Sequence, residues 1–129
     1  MHNVLNPRPH GYIDYAVVAL LALAPTLFGF SETPSLICYA LAGIQLMMSV
    51  LTAYPLGLIG LIPFTVHGMI EAVTAIGVAA MPWIAGFDHE PAARNFFLFS
   101  AVSLAAVYFL TNYKAAPAPR RGVRSPSMA

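Results

Sequence analysis

Hydrophobic positions in this chain come in four long blocks with almost no charge inside them. No Asp, Glu, Lys or Arg occurs from Ala16 to Ser31, from Thr33 to Val66, from Ala72 to Phe87, or from Asn95 to Tyr113. About 20 mostly apolar residues carry a helix across a bilayer's hydrocarbon core. The first, third and fourth blocks each fit one crossing. The second holds a helix, a connection and the start of another, broken at Tyr54, Pro55, Gly57, Gly60 and Pro63. The pattern predicts helices over 11–30, 35–54, 66–87 and 93–113. The expected fold class is all-α: a polytopic membrane protein, a four-transmembrane-helix bundle.

The blocks also repeat. A shift of 57 residues lays the segment from His10 over the segment from His67 without a gap, pairing His10/His67, Gly11/Gly68, Ile13/Ile70, Ala22/Ala79, Pro25/Pro82, Gly29/Gly86, Phe30/Phe87 and Pro34/Pro91, with Asp14 opposite Glu71. Each unit reads as helix, tight turn, helix: a helical hairpin duplicated in tandem. The expected division is an N-terminal segment 1–9, a first repeat 10–56, a second repeat 57–113 and a disordered tail 114–129. The recurrence also marks residues 16–24 as a retained helix, because the same pattern returns where no signal peptide can lie.

Composition narrows the function classes. Of 129 residues, 59% are hydrophobic and 9% charged, against about 25% charged in an ordinary soluble domain. A net charge of +1 gives no broad basic surface, so nucleic acid is not an expected partner. The single cysteine, Cys38, excludes an internal disulfide and a CxxC motif, and reads as a small packing residue. Arg8, Lys114, Arg120, Arg121 and Arg124 fall on the side of the termini and Arg94 on the other. The positive-inside rule then predicts cytoplasmic termini. The lipid bilayer is one partner, and a second copy or another membrane protein is the other.

Within the units, Ala24-Pro25-Thr26-Leu27-Phe28-Gly29-Phe30 and Met81-Pro82-Trp83-Ile84-Ala85-Gly86-Phe87 resemble the signature of the SPW-repeat membrane proteins. The motif residues are Pro25, Gly29, Phe30, Pro82, Trp83, Gly86 and Phe87. The first unit has Thr26 where the family has tryptophan, and neither unit keeps the serine. The resemblance implies two transmembrane helices per repeat and leaves the activity open.

Chemistry concentrates in His10, Asp14, His67 and Glu71. Each His/acid pair is spaced i, i+4 and so shares a helix face. The first and third helices run in the same direction, which puts both pairs at one depth. The plainest expectation is structural: carboxylates one turn inside the span reach interfacial water, each with its own histidine as local partner, and set the register of a non-catalytic membrane assembly module. One alternative is a metal- or haem-binding redox or sensor protein, with His10 and His67 as ligands and Asp14 and Glu71 as ligands or orienting groups. Another is a proton or small-solute conductor using Asp14 and Glu71. No phosphate loop, Ser-His-Asp set or metalloprotease motif occurs, so the reading leans away from an enzyme, and no cofactor is favoured over none.

Overall fold

The computed structural model of the protein describes residues 4–119. Arg120, Arg121 and Arg124, with most of the predicted tail, lie outside the described residues. Four helices follow in order: α1 (Pro7–Phe28), α2 (Glu32–Leu51), α3 (Phe64–Ile84) and α4 (Pro91–Leu110), with a 3-10 turn at Tyr113–Ala115. Each is long and apolar enough to cross a membrane, with mean hydropathy between 1.5 and 1.7 over its best window. At about 1.5 Å rise per residue, twenty or more residues reach the roughly 30 Å of the hydrocarbon core.

The helices start two to four residues earlier and end two to three residues earlier than the apolar blocks alone predict. Proline and the turn residues decide this. Pro7 and Pro91 open α1 and α4, where the missing N–H would have no helical partner anyway. Pro34 lies within the first turn of α2 instead of opening it. At the other end, Gly29 and Gly86 take left-handed φ of 64° and 76°, which a side chain disfavours. Pro25 and Pro82 lie in or beside the last turn of their helices, and their carbonyls accept Phe30 N–H at 3.0 Å and Phe87 N–H at 2.8 Å. The Gly-Phe endings are therefore helix stops.

Packing is strongest within each hairpin, α1 on α2 and α3 on α4. The buried apolar core gathers Leu21, Cys38, Ala42, Val78, Phe87, Ala93, Phe97 and Ala101 from all four helices. Phe87 and Phe97 are core residues, their rings 4.9 Å apart edge to face. Small residues at Ala42, Ala93 and Ala101 let the backbones approach. Trp83 and Tyr12 stay exposed, as belt residues should.

The hairpins match element for element, with one change of register. α3 begins 57 residues after α1, but α4 begins 59 residues after α2. The connection after Gly86-Phe87 is two residues longer than that after Gly29-Phe30. Pro34 and Pro91, identical at the 57-residue shift, are consequently not structural equivalents. The structural counterpart of Gln45 is Leu104, not Val102.

The hairpins are stitched together at the end that carries the described N-terminal residues. Leu5 N–H donates to Leu110 O at 2.9 Å and Asn112 N–H to Leu5 O at 2.8 Å. The matching strap ties Ile62 N–H to Leu51 O at 2.8 Å and Ala53 N–H to Ile62 O at 2.7 Å. The entry to each leading helix thus pairs with the exit of the other hairpin's second helix, α1 with α4 and α3 with α2. These straps place Thr52 and Thr111, the C-cap residues of α2 and α4, against the first turns of α3 and α1.

Candidate functional site

His10, Asp14, His67 and Glu71 converge at this stitched end. Helical spacing puts each His and its acid on one face, and the straps turn the two faces toward each other. His10 Nε2 lies 3.2 Å from Asp14 Oδ1 and 3.3 Å from Glu71 Oε2, while His67 Nε2 lies 3.3 Å from Asp14 Oδ2. The imidazole centroids are 5.6 Å apart and steeply inclined.

This arrangement corrects the expectation of two local, water-reaching pairs. His10, Asp14, His67 and Glu71 are all buried, His10 completely. Only His10 contacts the acid of its own pair; the carboxylate beside His67 is Asp14, from the other hairpin. Tyr54, Phe64 and Tyr113 close over the group. Phe64 packs 4.6 Å from Tyr113, 5.0 Å from His10 and 5.3 Å from Tyr54 between ring centroids. A Cβ at position 68 would come within 2.7 Å of the Tyr113 ring, so Gly68 is what lets that ring lie on α3.

Four residues the sequence reading passed over hold the site in place. Thr52 Oγ1 lies 2.7 Å from His67 Nδ1, and Thr111 Oγ1 lies 2.7 Å from His10 Nδ1. Tyr54 O–H donates to Asp14 Oδ2 at 3.0 Å and Tyr113 O–H to Glu71 Oε2 at 2.8 Å. The signal was present as Thr-x-Tyr after each second helix, Thr52-Ala53-Tyr54 and Thr111-Asn112-Tyr113. It repeats at 59 residues, so an ungapped shift of 57 passes it by. Both phenols lie beyond the helix ends. Burial first, and the neighbouring carboxylate second, push their pKa far above the usual tyrosine value, so both remain hydrogen-bond donors.

The threonines also fix the imidazole tautomers. Each threonine hydroxyl has one proton, and it goes to the carbonyl four residues back: Thr52 to Met48 O and Thr111 to Val107 O. Thr52 and Thr111 can then only accept from the histidines, so each Nδ1 carries hydrogen. A neutral imidazole with Nδ1–H presents a bare lone pair at Nε2. In the neutral form both Nε2 atoms carry a bare lone pair beside carboxylate oxygens, a contact that is repulsive unless a cation lies between; in the protonated form each Nε2 carries a hydrogen there instead. His10 Nε2 is within 3.3 Å of two acceptors yet forms a hydrogen bond with neither, because an N–H there aligns with neither oxygen. The atom is close to two anions and aimed well at neither.

Thr52→Val tests this support. The substitution leaves the buried Nδ1–H of His67 without an acceptor, a loss of about 1–3 kcal/mol. Thermal denaturation in detergent should show the drop, and Thr52→Ser should restore most of it. A Val variant as stable as the parent would remove the hydrogen bond from the account.

The ligand atoms of His10, Asp14 and His67 all lie within 4.8 Å of one another, and Glu71 joins through His10. Two imidazoles and one or two carboxylates are a donor set for Zn(II), Fe(II) or Mn(II). No protein-family model matches the chain, and no curated protein or solved structure is similar to it.

Proposed function

We propose that this is a metal-binding integral membrane protein, in which His10 and His67, with Asp14 and Glu71, hold one divalent first-row ion between the two hairpins. The observation that carries the reading is the commitment of both Nδ1 atoms to threonines, which leaves both Nε2 atoms, beside the carboxylates, as the ligand positions. Distance and charge support it. A tetrahedral ion with bonds of about 2.0–2.1 Å has ligand-to-ligand edges of about 3.3–3.4 Å. The three N···O separations here are 3.2, 3.3 and 3.3 Å, two of them to different oxygens of Asp14, and one ligand atom each from His10, Asp14 and His67 lie within 4.8 Å of one another, so the ion would draw the ligands inward. One divalent ion, two carboxylates and two neutral imidazoles sum to zero charge, the condition a buried site in a bilayer favours. The Thr–His and Tyr–carboxylate bonds are the outer shell that ligands of this kind require.

Haem fits less well. Two axial histidines need a flat slot between them wide enough for the macrocycle, whereas the Asp14 carboxylate touches both imidazoles. Under the metal reading the ion braces the hairpins, and the protein is a non-catalytic membrane module whose register the His/acid groups set. The matching hairpins support an origin by tandem duplication, and Pro82-Trp83 with the Gly-Phe endings supports kinship with SPW-repeat proteins. The positive residues support cytoplasmic termini, and the SPW resemblance supports a bacterial cell membrane.

Elemental analysis with an absorption spectrum, on the detergent-purified full chain, tests the proposal. The expected result is close to one Zn, Fe or Mn per chain and no Soret band. Protein that carries no metal, and takes up none of these ions on titration, would overturn it. A Soret band lost on His67→Ala would replace the ion with haem.

A further inference from the structure

Between the hairpins, on the side of the histidine–carboxylate group facing the middle of the bundle, lies a cavity of about 170 Å³. All four helices line it, and α1 and α3 do so with equivalent residues: Ile13 with Ile70, Val17 with Thr74, Leu21 with Val78. It therefore sits on the axis that relates the hairpins. His67 and Glu71 also line it, so the cavity reaches the buried histidine–carboxylate group. Elsewhere the walls are mostly aliphatic and aromatic, interrupted by Gln45, Thr74, Ser100 and Ser103.

We infer that this cavity binds the head of a lipid-soluble quinone or quinol, one six-membered ring bearing hydrogen-bonding oxygens. Four properties select that class. The first is size: an apolar cavity of about 150 Å³ holds one benzene. The volume here takes a single substituted ring and excludes a sterol or a fused polycycle. The second is polarity. Apolar walls suit the faces of the ring, while the Gln45 amide and the hydroxyls of Thr74, Ser100 and Ser103 suit its oxygens. A saturated acyl chain would leave that amide facing hydrocarbon, which is costly for a polar group.

The third property is charge. The titratable side chains lining the cavity are His67 and Glu71, both already held in the group at its end, so the walls offer no free cation for an anionic ligand. The fourth is access. Leu20, Ile44 and Phe99 line the cavity and are also exposed on the outer surface of the bundle. An isoprenoid or alkyl tail can leave through that opening into the bilayer. The inference stands on the cavity and does not require the ion.

Duroquinone, a tailless benzoquinone, is the probe. Isothermal titration into the full-length protein in detergent should show saturable binding at one site per chain, with metal content measured on each sample. Thr74→Phe, which fills the cavity, should weaken binding at least tenfold without changing metal content. Ser103→Leu repeats that test from α4 if the larger substitution does not fold. Gln45→Leu leaves the volume nearly unchanged and should weaken binding at least fivefold, since it removes recognition of a ring oxygen. Absence of saturable binding would overturn the inference, and so would equal binding by Thr74→Phe and the parent. Displacement of duroquinone by n-dodecane, together with tighter binding in Gln45→Leu, would also overturn it, because the cavity would then be acyl-chain space. Duroquinone binding to protein that neither carries nor takes up metal would support this inference while removing the metal proposal.

Discussion

Asp14→Asn is expected to lower the protein's affinity for its divalent ion by at least about 100-fold, with the bundle still folded. Asp14 is the residue both imidazoles share, one carboxylate oxygen to each Nε2. An amide keeps the size of the carboxyl group and can still accept the Tyr54 O–H, so the packing survives. It removes one of the two negative charges and one of the oxygen donors. The expected signature is therefore differential. In the parent, saturating Zn(II) should raise the melting temperature, by an amount equal to about 2.7 kcal/mol at one hundred times the dissociation constant. In Asp14→Asn that gain should fall to about 0.4 kcal/mol or less at the same concentration. The alternative of two charged imidazoles paired with two carboxylates predicts otherwise. Removing one carboxylate would then leave a buried imidazolium short of a partner and destabilise the fold by about 3–5 kcal/mol with or without metal. Melting curves of both proteins, with and without Zn(II), separate the two. A metal-independent loss would end the metal reading.

Gly57→Ala should be the most damaging single substitution in the connection between the hairpins, lowering stability by about 3 kcal/mol or more. A Cβ at position 57 would lie 1.9 Å from the Thr52 carbonyl oxygen and 3.2 Å from the Tyr54 ring. The first neighbour is backbone and cannot swing aside. That carbonyl also accepts Tyr54 N–H at 3.0 Å, and Gly57 N–H itself donates to Tyr54 O at 2.9 Å, so the turn is closed on both sides. Any shift that makes room for the methyl moves Thr52 away from His67 and Tyr54 away from Asp14. The substitution should consequently weaken metal binding as well as the fold, although residue 57 touches no candidate ligand. Gly43→Ala is the control: a Cβ there meets nothing within 4 Å, and alanine favours helix over glycine by about 1 kcal/mol. Thermal melting of both variants beside the parent tests the pair. Parent-like stability in Gly57→Ala would mean that the turn adjusts freely and does not hold the site.

Much of the architecture was legible along the chain. Charge-free blocks of spanning length can only be helices in a lipid solvent, where every backbone polar group must be paired within its own segment. The i, i+4 spacing of His10 with Asp14 and of His67 with Glu71 fixes each pair to one helix face, because helical geometry is local. The equal direction of α1 and α3 follows from counting crossings. These features depend on residues close in sequence, so the amino-acid order alone determined them.

Tertiary structure decided which acid meets which histidine, and what holds them. His67 lies against Asp14 because the Ile62 and Leu5 straps rotate the leading helices face to face, and no spacing within one hairpin encodes that rotation. The two extra residues after Phe87 move α4 from a 57-residue to a 59-residue correspondence, hiding Thr111 and Tyr113 from a fixed-shift comparison. Burial was decided at the same level. His10 sits about one turn and Asp14 about two turns from the start of α1, positions that by themselves read as close to interfacial water. They are dry because Phe64, Tyr54 and Tyr113 arrive from distant segments to cover them. Local geometry sets the face a side chain occupies; what that face meets is set by the loop lengths and close backbone contacts that dock one hairpin on the other.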